Sequence, residues 1–227
     1  MALVFASALP AQIPRPPDQP LHFSVFSAQP IAGLSYLPRP NTAAAKLIFY
    51  PTARSPRYDY RGAMPVRFVD SGSGAVVAEV TVPLEFSNAL LLFSPIGPPV
   101  ASSTGAKPAT TLKYRVAVLD DGGGRQPAGS LAIINFSGLA LNGIVDGKDV
   151  TLKDGLNAAQ TVARSAKILL RASVKGRIYQ AYAETLQLKK NERALLILFP
   201  PFYRGSFEVQ SRLLVDEPPG AAAPSPH

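Results

Sequence analysis

The chain of 227 residues is long enough for one large domain or two small ones, and its 47% apolar content can fill a buried core. Charged residues make up only 17%, while 23 Pro and 17 Gly suit strands joined by turns and suit long helices badly. The absence of Cys excludes disulfides, thiolate catalysis and Cys-based metal sites, and one of the 2 His is His227 at the end of the sequence. With most catalytic vocabularies missing, the expectation is a non-enzymatic protein without cofactor or metal. The net charge of +8 is diffuse: 10 basic and 7 acidic residues precede Gly124, and 13 basic and 8 acidic residues follow it.

In chain order, Leu3-Val4-Phe5 followed by Ala6-Ser7-Ala8 resembles the end of a secretory signal peptide whose basic region is missing, so the signal reads as incomplete. The expected location is extracytoplasmic, secreted or periplasmic. No later apolar run approaches the ~18 residues of a membrane-spanning helix. Five prolines between Pro10 and Pro20 favour an extended tether. Residues 1–20 are therefore read as signal remnant plus tether, and 218–227, again rich in Pro and Ala, as a disordered tail.

Between them, apolar runs rich in β-branched and aromatic residues predict strands at His22–Ala28, Lys46–Tyr50, Val66–Val69, Ala75–Val82, Ala89–Phe93 and Leu112–Leu119. After Asp120-Asp121-Gly122-Gly123-Gly124 a second series is predicted at Ser130–Phe136, Leu141–Val145, Asp149–Leu152, Lys167–Val174, Arg177–Glu184, Arg193–Phe199 and Glu208–Val215. Asp146-Gly147 and Lys175-Gly176 read as two-residue hairpin turns, the former because Asp and Gly tolerate the positive φ that such a turn needs. Gly155–Ser165 has helix-compatible spacing and reads as a short helical turn.

The two series are similar to each other. Ala78–Pro95 aligns without gaps on Ala183–Pro200, six of eighteen positions being identical, and each half ends on an acidic pair, Asp120-Asp121 or Asp216-Glu217. The pairs read as strand-end caps. The expected fold is all-β: two tandem, duplicated β-sandwich units of immunoglobulin-like or transthyretin-like type, at 21–121 and 129–217, joined by a Gly-rich linker at 122–128. Ser130–Ser137 followed by Gly143–Lys148 is similar to strand-turn-strand patterns of exported bacterial β-sandwich domains of unknown function. That resemblance spans residues 130–148 and implies an extracytoplasmic β protein without implying an activity.

A hydrolytic triad would require His22, and no nucleophile elbow surrounds any serine. Asn135-Phe136-Ser137 fits the glycosylation sequon but falls inside a predicted strand. The remaining chemistry lies in Arg54-Ser55-Pro56-Arg57-Tyr58-Asp59-Tyr60-Arg61, read as a loop. There Arg54, Arg57 and Arg61 offer forks to phosphate, sulfate or carboxylate, and Tyr58 and Tyr60 offer stacking faces. The leading expectation is a structural or interaction module at the cell envelope. The alternative is a binding module that uses these five residues. An anionic polymer, a glycan or an envelope protein is the candidate partner.

Overall fold

A computed structural model describes residues 20–96 and 112–218, and within them the chain is all-β with no helix. The expected signal remnant and tether, apart from Pro20, the Pro-rich connection beyond Ile96, and the expected tail beyond Pro218 lie outside the described residues. The first half forms β1 (Leu21–Ser27), β2 (Leu34–Tyr36), β3 (Ala45–Lys46), β4 (Tyr58–Tyr60), β5 (Val66–Asp70), β6 (Val76–Val80), β7 (Asn88–Pro95) and β8 (Tyr114–Asp120). The second forms β9 (Ser130–Asn135), β10 (Leu141–Val145), β11 (Lys148–Leu152), β12 (Gly155–Leu156), β13 (Gln160–Thr161), β14 (Ser165–Val174), β15 (Arg177–Gln187), β16 (Arg193–Phe199) and β17 (Gln210–Asp216).

Each half is a sandwich of two sheets. Their strand orders, β4-β1-β7-β8 with β3-β2-β5-β6 and β12-β9-β16-β17 with β11-β10-β14-β15, correspond, except that the register makes β13, which also pairs β9, the counterpart of β4. Both halves contain the same parallel pair, β1 with β7 and β9 with β16, where Val25 lies opposite Leu91 and Ile133 opposite Leu196. The hairpin β5–β6 carries a bulge after Phe68 that leaves Val77 out of register, and β14–β15 carries one after Leu170 that leaves Ala181 out. A bulge frees a ladder carbonyl. The Lys113 amide takes that of Val77 at 2.8 Å, and the Val209 amide takes that of Ala181 at 3.0 Å, so in each half one sheet is stitched to the strand entering the other.

The equivalence refines the sequence alignment. Leu91 and Leu196 correspond, as aligned, and both are 0% exposed. At β6 and β15 the alignment slips by one residue, because Val77 corresponds to Ala181. The strand-end acids slip too: the Asp121 amide donates to the Asn88 carbonyl at 3.0 Å and Arg193 lies opposite Asp216, so Asp121 corresponds to Asp216.

The apolar runs of β7 and β16 are buried on both faces. Ala89, Leu91 and Phe93 point into the first sandwich and Ala194, Leu196 and Leu198 into the second. Leu90, Leu92, Leu195 and Ile197 instead meet in a third cluster with Phe26, Leu119, Ala132, Ile134 and Leu214. The two inner sheets thus pack face to face, making a stack of four layers with an apolar central seam.

Both hairpin turns form as their sequences predict, with φ of 49° and 78° at Asp146 and Gly147 and of 50° and 75° at Lys175 and Gly176. Other expectations are corrected. Gly155–Ser165 is extended rather than helical: the Asn157 amide donates to the Ile133 carbonyl at 2.9 Å and its Oδ1 accepts the Lys153 amide at 2.8 Å, which lays the segment along β9. The predicted strand at Lys46–Tyr50 keeps sheet pairing only at its start, because the Ile48 amide donates to the Tyr58 hydroxyl at 2.8 Å instead of to a neighbouring strand. The Arg54–Arg61 segment is not all loop, since β4 runs through it and pairs with β1. The Asn135 side chain is bonded to the Leu139 carbonyl at 3.0 Å and the residue is 1% exposed, so the sequon is closed to a glycan.

Candidate functional site

The first unit opens a cleft of about 490 Å³ where β4 pairs with the start of β1. Its walls come from three short segments that backbone bonds hold together. The turn after β2 is closed by the Thr42 hydroxyl, which donates to the Arg39 carbonyl at 2.9 Å and accepts the Arg39 amide at 3.2 Å. The Arg61 amide, just past β4, donates to the Pro38 carbonyl at 2.8 Å and ties the second segment to that turn. On β1, His22 lies directly opposite Asp59 of β4.

The guanidinium-bearing residues Arg39, Arg57 and Arg61 therefore converge on one opening, all exposed, with a half-buried Tyr58 beside them. Arg57 is steadied by donating to the Asn88 side-chain carbonyl. Among the described residues the only carboxylate lining the cleft is Asp59, which accepts from His22 Nδ1 at 2.5 Å. Burial, with the Asp59 carboxylate second, pushes the Tyr36 hydroxyl up to about 12, and that hydroxyl donates to the Asp59 carbonyl at 3.0 Å.

His22 and Asp59 resemble two members of a nucleophilic relay, and among the described residues each hydroxyl lining the cleft has a partner. Tyr36 is bonded to Asp59, Tyr58 to the Ile48 amide and Thr42 to Arg39. The arrangement instead suits binding, with three planar cations against one carboxylate around an aromatic face.

The structure separates the five residues singled out in the sequence. Arg57, Tyr58 and Arg61 line the cleft. Tyr60 is 8% exposed and donates to the Ala63 carbonyl, its ring lying so close to Gly62 that a Cβ there would stand 2.7 Å from the hydroxyl. Arg54 is withdrawn from the surface, its side chain 7% exposed. Strand alternation could have flagged Tyr60, since both tyrosines lie on the face of β4 that packs against the first core, with Asp59 on the other face. Arg39 and His22 carried no local signal, because only the antiparallel pairing and the turn after β2 bring them alongside.

Arg54 belongs to a buried ion network across the seam. Arg193, 0% exposed, donates through Nε and Nη2 to both carboxylate oxygens of Asp216 at 3.1 Å, through Nη2 to Asp121 at 3.0 Å, and through Nη1 to the Asp121 carbonyl at 3.2 Å. Arg54 spans the same pair, reaching Asp121 at 3.2 Å and also Asp216. Two arginines and two aspartates, half of each from either unit, thus neutralise one another. Burial pushes the Asp121 carboxyl up against the pull of the Arg54 and Arg193 charges, and burial lowers Arg54. The strand-end caps expected of the acidic pairs are present at Asp120, which accepts the Gly122 amide at 3.0 Å, but Asp121 and Asp216 clamp the two sandwiches. The Gly-rich linker joins the clamp, since Gln126 is 6% exposed and bonded through its side chain to the Ala194 carbonyl.

The clamp is asymmetric within the duplication. The Ser55 amide donates to the Val25 carbonyl as the Asn157 amide does to that of Ile133, so Leu156 stands where the first unit has Arg54. No helix among the described residues is long and apolar enough to cross a membrane. No protein-family model and no curated protein matches this chain.

Proposed function

We propose that this protein is a non-enzymatic interaction module of the cell envelope that holds an anionic polymer, such as an acidic glycan, across the cleft of its first unit. The observation that carries the reading is the convergence of Arg39, from the turn after β2, with Arg57 and Arg61, which flank β4, onto one open cleft with a tyrosine face. Planar guanidinium forks match carboxylate and sulfate groups, and a ring beside them offers a sugar face somewhere to lie. The clamp and the apolar seam keep the cleft on a stiff body, which lowers the ordering cost of binding. The extracytoplasmic setting rests on Leu3–Ala8 and on the resemblance of residues 130–148 to exported β-sandwich domains. Intact Met1 on protein from the soluble cytoplasm of the native source would refute that setting.

The binding test is retention on heparin resin, with binding of a sulfated oligosaccharide measured across a salt series. Three charge contacts give a log–log salt slope of about −2 to −3. The Arg39→Ala/Arg57→Ala/Arg61→Ala variant is expected to lose most retention and most of that slope. Tyr58→Ala should weaken binding further at unchanged net charge. A small loss, in proportion to three of 23 basic residues, would mean only diffuse attraction and would refute the site.

A further inference from the structure

At the opposite end of the molecule from the clamp and the cleft lies a second surface of different chemistry. β16 starts at Arg193 in the clamp and ends at Phe199, so the loop from 200 to 209 and the tip of the β14–β15 hairpin sit at the far end. This end carries the three most exposed large apolar side chains among the described residues, Phe202 at 74%, Tyr203 at 73% and Ile178 at 70%. They stand on a firm base. The Tyr179 and Phe207 rings stack at 4.2 Å, the Val209 amide holds the Ala181 carbonyl, and the Ser206 amide closes a turn onto the Tyr203 carbonyl at 3.2 Å. Pro200 and Pro201 stiffen the approach.

On the same two segments Lys175, Arg177 and Arg204 are exposed and form no ion pair among the described residues, and the only acid within 174–178 and 200–208 is Glu208. Protruding rings on a loop tip gain little from a flat protein face but can enter a soft one. A lipid headgroup layer accepts amphipathic Tyr and apolar Phe and Ile while its negative charge meets the basic residues. We propose that this end docks on an anionic lipid surface, with Phe202, Tyr203 and Ile178 entering the headgroup boundary and Lys175, Arg177 and Arg204 facing lipid charge. The cleft then points away from the membrane, free to hold its own ligand.

The absence of Trp provides a direct probe. In the full chain, Phe202→Trp places a single indole at the tip, and its emission is expected to shift to the blue on adding vesicles of phosphatidylcholine with phosphatidylglycerol, and far less with phosphatidylcholine alone. Co-sedimentation with the same vesicles measures partitioning of the otherwise native protein. Each basic residue near an anionic surface is worth about fivefold, so Lys175→Gln/Arg177→Gln/Arg204→Gln should cost about 100-fold. Phe202→Ala/Tyr203→Ala should lower partitioning at unchanged charge, and Arg39→Ala/Arg57→Ala/Arg61→Ala should leave it within the modest loss set by net charge. All the substituted side chains are exposed, and circular dichroism checks that the variants stay folded. No partitioning into anionic vesicles, an indole that stays in water, or an equal loss from the cleft variant would overturn the proposal.

Discussion

Replacing Arg193 by Met tests the clamp, because it removes the side chain that bonds both aspartates and also the Asp121 and Gln126 carbonyls. Methionine keeps an apolar stem of similar length in a site that is 0% exposed, while the bidentate contact to Asp216 and the bonds to Asp121 and to the Gln126 carbonyl are lost. What remains is Arg54 alone against two carboxylates. Removing one partner of a buried ion network costs about 3–5 kcal/mol, because a buried charge is left uncompensated. That is a large part of the ~5–15 kcal/mol that holds most domains together. Equilibrium urea unfolding followed by far-UV circular dichroism at neutral pH measures the loss. Adding Asp216→Asn to Arg193→Met should restore part of it, and the double-mutant cycle should show a coupling of about 0.5–3 kcal/mol. The pH dependence carries a sign. With Arg193 gone, the Asp121 carboxyl, already pushed up by burial, rises further above its unfolded value. Its ionisation then opposes folding, so the deficit of the variant should be largest above that raised value and shrink as pH falls through it. A loss below about 1 kcal/mol with additive single changes would refute the clamp.

Leu91→Ala and Leu196→Ala should each cost about 2–5 kcal/mol in urea unfolding, since both sites are 0% exposed and equivalent in the two cores. A loss below about 1 kcal/mol at both would remove that equivalence. Gly143→Ala should be destabilising in the upper part of the ~1–3 kcal/mol range of overpacked sites, because a Cβ there would stand 1.9 Å from the Leu169 carbonyl oxygen across β10 and β14, where only backbone can yield; an unchanged midpoint would show that the strands separate freely. Asp70 accepts the Ser73 amide at 2.9 Å, the Ser73 hydroxyl at 3.0 Å and the Gly72 amide at 3.1 Å, which hold its carboxyl below the usual carboxylate range. A depressed folded value contributes stability that is present above the unfolded value and lost as pH falls toward the folded one, so Asp70→Ala should flatten the acid side of the stability profile. An identical acid-side slope in wild type and variant would count against the turn.

Local pattern carried the β architecture, the duplication and the two tight hairpins, because each is written in nearest neighbours. Alternating apolar residues, turn residues that accept positive φ, and a repeated apolar run are all properties of contiguous chain. The same pattern marked Arg57, Tyr58 and Arg61, which are close together in sequence and remain so in the cleft. Arg39 and His22 are 18 and 35 residues from Arg57, and they reach the cleft only through the turn after β2 and the β1–β4 pairing. Composition could not separate a solvated Arg54 from a buried one. Its place was decided by Asp121 and Asp216, which the duplication sets on opposite sides of the seam and whose desolvated charges require cations nearby. The segment at 155–165 shows the same physics in reverse. Its weak helical preference, spread over too few residues to nucleate, yields to the Asn157 bonds and to pairing with β9, because tertiary contacts outweigh a propensity of a few tenths of a kcal/mol per residue.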